Sequence, residues 1–163
     1  MPGSGRVYVI GVDSTKASVD RLKKTLANFV NPGDHVHIAA VIPDPATEKT
    51  TEVGVAGSLG SGYTEPESGA DKLKRRVKEV EDNFTTLYAP VLEETGIHYE
   101  VAVLLTPSKT KAIGEVLVSY AEKVHASAIV MGKSDRSALQ ELFIGSVAKV
   151  ILKSATVPVI IIN

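Results

Sequence analysis

The sequence predicts an α/β fold, built on a single open five-stranded parallel sheet with helices on both faces. Short apolar runs alternate along the chain with segments of helical periodicity, which is the pattern of a doubly wound sheet. The runs are apolar at almost every position, as in parallel strands that are covered on both sides. The length of 163 residues suits one domain. We therefore expect a ligand site at the carboxyl ends of the strands, near the point where the strand order reverses.

The first two strands are predicted at 6–13 and 35–42. The first run is apolar from Val7 onward and ends in a carboxylate, Asp13. Between the strands, apolar residues spaced three to four positions apart predict a helix, which the turn sequence Asn31-Pro-Gly-Asp34 ends. Asp13 is thus predicted to stand directly after a buried strand, where a ligand would bind.

Two segments, 1–5 and 43–69, are predicted to be mobile. The longer segment lacks apolar periodicity and contains five of the thirteen glycines and three of the eight prolines. Long loops of this kind in compact domains are often lids or insertions. We therefore expect one domain at 6–163, with 43–69 as a mobile loop within it.

The second half of the chain contains three further strands and three helices. Apolar positions predict one long amphipathic helix that begins near Ala70, is kinked or shortened by Pro90 and ends at Gly96. The later elements follow in the order strand 99–105, helix from 110, strand 126–132, helix 146–154 and strand 158–162.

Composition excludes several classes of protein. Eighteen basic and nineteen acidic side chains give a net charge of −1, so no general attraction to nucleic acid or to an anionic membrane is expected. No apolar run approaches the roughly 18 residues of a membrane span. The absence of cysteine excludes disulfides, thiolate metal sites and cysteine nucleophiles. We therefore expect a cytoplasmic protein that binds neither nucleic acid nor membrane.

Two polar clusters are interpreted as having no site function. His35 and His37 share one face of a predicted strand, as a metal-binding pair would. No carboxylate or third histidine stands at ligand spacing in the sequence, so no metal site is predicted. The basic run at 72–78 lies on an amphipathic helix and is followed at once by acidic residues, which is typical of a solvated face.

A phosphate-binding arrangement is predicted between the fourth strand and the last helix. Gly132 stands at the strand end, and Gly145-Ser146 opens the helix. Gly145 permits close approach of the backbone, Ser146 can cap the helix, and the N–H groups of the first turn can face an anion. Lys133 and Arg136 add positive charge. The same glycine and serine would also suit an ordinary helix start.

This pattern resembles the C-terminal signature of the universal stress protein family. The resemblance is carried by Gly132, Gly145-Ser146 and Val147-Ala-Lys-Val-Ile-Leu-Lys-Ser-Ala-Thr-Val-Pro-Val-Ile-Ile, and it extends back to the strand that ends in Asp13-Ser14. It implies a Rossmann-like fold of the adenine nucleotide alpha hydrolase type, dimerisation, and a role in stress response or signalling. In one branch of the family it also implies binding of ATP or AMP.

One position departs from the pattern of the nucleotide-binding branch. Where that branch has a second glycine, this chain has Asp135. Aspartate tolerates a positive φ, but a like-charge pair at ~4 Å costs about 1 kcal/mol in water and ~4 kcal/mol at an effective dielectric constant of 20. Lys133, Arg136 or a Mg²⁺ ion bound with the nucleotide and contacted by Asp135 would offset this repulsion. We expect Asp135→Gly to tighten nucleotide binding.

The resemblance also implies roles for the remaining site residues. It places Asp13 beside the adenosine, Val12 and Val41 on either side of the adenine, and Met131 against the ribose. Core packing is the alternative role for the apolar residues, and capping of the following helix, shared with Ser14 or Thr15, is the alternative for Asp13. The predicted nucleotide-binding residues are Val12, Asp13, Ser14, Val41, Met131, Gly132, Lys133, Ser134, Asp135, Arg136, Gly145, Ser146 and Val147.

Three functions remain open at this level. The leading hypothesis is a homodimer that binds ATP or AMP and pairs an apolar edge strand with its symmetry mate through Val157, Pro158, Val159, Ile160, Ile161 and Ile162. The second is a dimeric interaction or chaperone-like module without nucleotide, which Asp135 favours. The third is a slow ATPase. The sequence assembles no nucleophile, base and oxyanion hole, so no catalytic residue is predicted and at most slow ATP hydrolysis is expected.

Overall fold

Five parallel strands form one sheet, which confirms the predicted fold class. The computed structural model describes residues 5–47, 67–107, 110–133 and 145–163. The strands are β1 (Val7–Val12), β2 (His35–Pro43), β3 (His98–Thr106), β4 (Ala128–Gly132) and β5 (Val159–Ile162). They lie in the order β3-β2-β1-β4-β5, so the strand order reverses between β1 and β4. The carboxyl ends of β1, β2 and β4 therefore meet at the switch point, where doubly wound sheets bind ligands.

Helices cover both faces of the sheet. They are α1 (Lys16–Asn28), α2 (Gly69–Asn83), α3 (Ala89–Thr95), α4 (Thr110–Lys123) and α5 (Ser146–Ser154). One buried cluster joins α1 and α3 to the sheet through Leu22, Leu92 and Ile38, and a second joins α4 and α5 to the other face through Leu117, Ile151 and Ile129. Among the described residues, no helix is long and apolar enough to cross a bilayer.

The segment predicted as one long helix is divided in three. Between α2 and α3 the backbone widens into a π-helical segment, Phe84–Tyr88, in which the N–H of Ala89 donates to the carbonyl of Phe84. Pro90 lies in the first turn of α3, where a missing N–H costs no intrahelical bond. Gly96 ends α3 with a φ of 63°, as its left-handed capping role requires. The predicted ends agree with the structure within one residue, and the interruption lies just before Pro90, where the sequence predicts a kinked or shortened helix.

Both ends of the predicted loop 43–69 are regular structure. Pro43 is the last residue of β2, and a 3₁₀ turn follows at Pro45–Thr47. Ser68 caps α2, since its hydroxyl oxygen accepts the N–H of Asp71 at 3.1 Å. The loop prediction is therefore too wide at both ends, and its middle part, 48–66, lies outside the described residues.

The two edge strands of the sheet are β3 and β5. β5 pairs only with β4 within the described sheet, which agrees with the prediction of an apolar edge strand near the end of the chain. β3 pairs with β2 in a register that sets Glu100 opposite His37 and His98 opposite His35. The expectation that no carboxylate accompanies the histidine pair was therefore wrong, because strand pairing supplies one from 63 residues further along the chain.

Candidate functional site

Asp13 organises the turn between β1 and α1. Its Oδ1 atom accepts a hydrogen bond from the N–H of Thr15 at 2.9 Å and another from the Thr15 hydroxyl. Thr15 is the N-cap of α1, with its side-chain oxygen 3.2 Å from the N–H of Ser18. The capping role considered for this turn thus falls to Thr15, and Asp13 holds Thr15 in place. Its carboxylate is still 57% exposed and faces the end of the sheet.

Arg21 spans the ends of β1 and β4. Its Nη2 atom lies 3.6 Å from Oδ2 of Asp13, and its side chain is only 15% exposed. A Cβ atom placed on Gly132 would lie 2.0 Å from Nε of Arg21, so the guanidinium occupies the space that a side chain at Gly132 would need. The sequence analysis did not identify Arg21. The available signal is a basic residue on the same helix face as the buried Ser18 and Leu22.

A cleft of about 370 Å³ opens between the ends of β1 and β2 and the helical layer above them. Four of the predicted residues line it: Val12, Asp13, Ser14 and Val41. Its other walls are mostly apolar, and the polar side chains among them are Tyr88 of the π-helical segment and, from α2, Arg76, Glu79 and Asn83. A concave, largely apolar site with a few polar groups is the usual form of a small-molecule pocket. Arg76 belongs to the run predicted as a solvated face, yet its Nη1 donates to the carbonyl of Pro43 at 2.8 Å.

Tyr88 closes the inner end of the cleft. Its hydroxyl donates to the backbone carbonyl of Asp13, and only 2% of the residue is exposed. Burial, together with the nearby Asp13 charge, raises the pKa of Tyr88 above its usual value. The hydroxyl therefore stays protonated at neutral pH and remains a donor that fixes the Asp13 peptide. The sequence analysis missed this contact, which joins residues 75 positions apart.

Val41 presents its backbone to the open end of the sheet. Pairing of β2 with β1 ends at Ala40 and Val12. The N–H of His35 donates to the backbone carbonyl of Arg6, next to β1, whereas the N–H of Asp44 donates to the backbone carbonyl of Thr106 in β3. Alternate residues of a strand direct their N–H and C=O groups to opposite sides. The N–H and C=O of Val41 therefore point to the β1 side of β2, and they lie beyond Val12, the last β1 residue that pairs with β2. The Val41 side chain packs against the core that α4 and α5 cover.

The remaining predicted residues do not line this cleft. Met131 and Val147 pack against the core on the α4 and α5 face, as the alternative interpretation allowed. The N–H of Lys133 donates to the carbonyl of Ile162 at 3.1 Å. Gly145 is the N-cap of α5 without any side-chain cap, so the prediction that Ser146 caps the helix was wrong: Ser146 is already its first helical residue. Ser134, Asp135 and Arg136 lie outside the described residues.

The topology still brings α5 toward the same end of the sheet. α5 connects β4 to the parallel strand β5, so it runs back from the carboxyl ends of the strands to their amino ends. Its N-terminus is thus on the carboxyl side, where Gly132 ends β4, and the N–H groups of its first turn have no partner within the helix. The predicted site therefore divides into a cleft at β1 and β2 and a glycine-bounded region at β4 and α5, with Arg21 between them.

The sequence and the fold both match known proteins. The model of the universal stress protein family matches residues 6–163. A universal stress protein from Archaeoglobus fulgidus has a similar structure, with 19% identity and a TM-score of 0.64 over 97% of this chain and 93% of that one. A search of the curated proteins gave no match to this sequence.

Two of the similar structures contain a nucleotide. One is the universal stress protein from Archaeoglobus fulgidus in complex with dAMP, with 19% identity and a TM-score of 0.59 over 98% of this chain and 99% of that one. The other is a universal stress protein in complex with cAMP, with 16% identity and a TM-score of 0.56 over 99% of this chain and 98% of that one. At these identities the similarity establishes the shared fold.

Proposed function

The chain belongs to the universal stress protein family, and we propose that it binds an adenine nucleotide, ATP or AMP, at the carboxyl ends of β1, β2 and β4. The observation that carries the proposal is the cleft of about 370 Å³ that Val12, Asp13, Ser14 and Val41 line. The dAMP and cAMP complexes of two similar structures support the choice of an adenine nucleotide. We further propose that the occupancy of this site serves stress response or signalling.

The base would enter the cleft between β1 and the π-helical segment. Val12, Phe84 and Val101 supply apolar walls for the purine rings. The peptide groups of Val41 point toward the same opening and can form hydrogen bonds with the edge of the base, whose ring nitrogens and amino group offer acceptors and donors. The ribose would then lie at the opening of the cleft, where the carboxylate of Asp13 can accept a hydrogen bond from one of its hydroxyls.

The phosphates would extend from the cleft toward Gly132 and the N-terminus of α5. Arg21 supplies a cation on this path, since its guanidinium occupies the space next to Gly132. The first-turn N–H groups of α5, at Ser146 and Val147, add the partial positive charge of a helix N-terminus. Lys133 and Arg136 would add further charge, and a Mg²⁺ ion would offset the repulsion expected from Asp135.

A second candidate function is a dimeric interaction or chaperone-like module that holds no nucleotide. The observation that favours it is the bond pattern at the site: both Asp13 carboxylate oxygens already have partners, in Thr15 and Arg21. Arg21 also fills the space above Gly132. Binding of a nucleotide would have to break the ion pair between Arg21 and Asp13. Because the Asp13 side chain is exposed, the loss of this pair costs on the order of 1 kcal/mol or less.

Dimerisation through β5 is part of the proposal. The N–H of Ile129 donates to the carbonyl of Pro158, and that of Lys133 donates to Ile162, so the even-numbered residues of β5 face β4. The peptide groups of Val159 and Ile161 therefore point away from the sheet. A short apolar edge strand is satisfied by antiparallel pairing with its symmetry mate.

Slow ATP hydrolysis remains a third and lesser candidate. The residues that line the cleft include no histidine or lysine, and the two carboxylates there already have partners: Asp13 contacts Thr15 and Arg21, and Glu79 accepts from Arg75. We therefore propose binding rather than turnover as the primary activity.

Isothermal titration calorimetry of the full chain with ATP and AMP, with and without Mg²⁺, tests the proposal. We expect saturable binding of one nucleotide per chain. Asp13→Asn should weaken it by about tenfold, because it removes a charged acceptor worth about 1.5 kcal/mol, whereas Asp20→Asn on the exposed side of α1 should not change it. An absence of heat at millimolar nucleotide would refute the binding proposal and favour the interaction module.

A further inference from the structure

A second group of ligand-type side chains lies on the face of the sheet that α4 covers, opposite the face that carries the cleft. His35 and His37 occupy one face of β2, and Glu100 of β3 is paired with His37 in register. One ligand atom from each of the three residues falls within 4.8 Å of the other two. Two imidazoles and one carboxylate form a donor set that binds zinc in proteins.

The distances within this cluster suit a small cation. Nε2 of His35 lies 3.4 Å from Oε1 of Glu100, and Nδ1 of His37 lies 3.8 Å from Oε2. Ligands about 2.0–2.2 Å from a tetrahedral zinc ion are about 3.3 Å from one another. The three ligand atoms lie within 4.8 Å of one another, so side-chain movements of about 1 Å or less would bring them to coordinating distance.

The environment of the cluster leaves one nitrogen unsatisfied. Nε2 of His35 is shielded from solvent and has no hydrogen-bond partner among the described residues. His37 is 7% exposed, and its Nδ1 atom lies 2.9 Å from the Tyr120 hydroxyl. The ring of His98 is stacked on that of His35, at a centroid distance of 6.3 Å. Burial of an unpaired polar atom is costly, and a metal ion is one partner that removes the cost.

We propose that His35, His37 and Glu100 bind a divalent transition metal ion, with Zn²⁺ as the best fit to the donor set. Imidazole and carboxylate donors suit Zn²⁺ better than Mg²⁺ or Ca²⁺, which prefer oxygen ligands alone. Three protein ligands leave a fourth position for water. The site is separate from the nucleotide cleft because it lies on the other face of the sheet: His37 contacts Tyr120 of α4, whereas its neighbour Ile38 lines the cleft on the α1 and α3 face.

The bound ion would join the edge strand to the interior of the sheet. Glu100 lies on β3, which is an edge strand and is paired only with β2 among the described strands. The two histidines lie on β2, which is interior. A metal bridge between them therefore opposes fraying of β3, and its effect is a gain in stability that does not depend on the nucleotide.

Calorimetric titration of the untagged full chain with ZnCl₂, after treatment with EDTA and in the absence of nucleotide, tests the site. We expect one Zn²⁺ per chain and a higher Tm with Zn²⁺ present. Glu100→Gln, at an exposed position where the change should not affect folding, and His35→Gln should each lower the affinity by more than about tenfold. The control variant is His125→Asn, which keeps a residue that tolerates the positive φ of 51° at that position.

The result is independent of the nucleotide proposal because no nucleotide is added. Absence of Zn²⁺ binding by the wild-type chain would overturn the metal site while leaving the cleft unaffected. Equal affinity of the wild type and the Glu100→Gln and His35→Gln variants would also overturn it, because the ion would then bind elsewhere. A visible absorption band of tetrahedral Co²⁺ in the wild type, lost in Glu100→Gln, would support the proposed geometry.

Discussion

Two arginines hold acidic residues at the two ends of β1. Arg6, just before the strand, contacts Asp34 through Nη2 at 3.1 Å, and Arg21 faces Asp13 just after it. The first pair is structural, since Asp34 is buried and also accepts N–H groups from the backbone. The second lies in the proposed nucleotide path. A net charge near zero therefore conceals local pairs with different roles.

Asp34 should make the stability of the protein depend on pH. Burial by itself raises the pKa of Asp34, but hydrogen bonds from the N–H groups of Asn31 and Arg6 and from the Arg6 side chain outweigh it and lower the pKa overall. The folded chain thus holds the carboxylate more tightly ionised than the unfolded chain does. The contribution of the Asp34 carboxylate to the free energy of unfolding is present above its pKa in the unfolded chain, about 3.9. This contribution is lost as the pH falls through the lower pKa that Asp34 has in the folded chain.

We therefore expect Asp34→Asn to lower the free energy of unfolding at pH 7 by about 1–3 kcal/mol. The difference in the free energy of unfolding between the wild type and the variant should become smaller as the pH falls below about 4. Urea unfolding at neutral and at acidic pH measures both values, with Asp20→Asn as a control for the loss of one negative charge. A difference that stays constant across this range would show that Asp34 does not act through its charge.

Arg21→Gln should weaken nucleotide binding by about 10- to 100-fold, because a charge-assisted hydrogen bond to phosphate is worth about 1.5–3 kcal/mol. The loss should be larger for ATP than for adenosine, since only ATP carries phosphates. Lys23→Gln, on the exposed side of the same helix, is the matched control for the loss of a positive charge. Tighter binding by Arg21→Gln would mean that Arg21 blocks the site rather than serving it.

At the scale of elements, α4 and α5 approach closely at Gly114. A Cβ atom there would lie 2.8 Å from Cγ1 of Val150 and 3.1 Å from the carbonyl oxygen of Val147. The second atom belongs to the backbone and cannot turn aside. The glycine thus fixes the separation of the two helices, and with it the position of the α5 N-terminus relative to the sheet.

Gly114→Ala should lower the Tm, because overpacking of about 1–3 kcal/mol exceeds the gain of about 1 kcal/mol in helix propensity. Gly69→Ala is the matched control, since a Cβ at that helical position meets nothing within 4 Å. It should leave the Tm unchanged or raise it slightly. Thermal unfolding of the two variants in parallel tests the argument, and a Gly114→Ala protein as stable as the wild type would contradict it.

For the whole molecule, the outer edge of β5, which pairs with no further strand among the described residues, is the surface that we propose for the contact between two copies. Ile161→Pro removes an N–H that points away from β4, so the ladder inside the sheet stays intact. We expect it to shift a dimer toward the monomer in analytical ultracentrifugation, whereas Ile161→Val, which keeps the N–H, should remain dimeric. If Ile161→Pro stays as dimeric as the wild type, the interface lies on another surface.

The sequence predicted the strands and most of the helices because each of these elements depends on a local pattern of apolar residues. Apolar runs and helical spacing identified all five strands within two residues. The same patterns placed Asp13 and Gly132 at strand ends. The π-helical segment before Pro90 was not predicted, because the periodicity of its side chains differs little from that of an α-helix over five residues.

Part of the candidate site could likewise be predicted from the sequence alone. The strand-end position of Asp13 and the resemblance around Gly132 and Gly145 required only residues that are close in sequence. The family resemblance implied roles for Val12 and Val41 at neighbouring strand ends, and both residues line the cleft together with Ser14. Each of these predictions depends on one element and its immediate turn, and a role in nucleotide binding stays a prediction for all of them.

Only the tertiary structure decided which distant side chains meet. The position of Arg21 over Gly132 depends on the rotation of α1 against the sheet. The contact of Tyr88 with Asp13 depends on the path of the chain after α2. Glu100 stands beside His35 and His37 because of the register between β2 and β3. Helix rotation and strand register follow from packing of the whole core, so local periodicity specifies the elements and their ends but not these contacts between them.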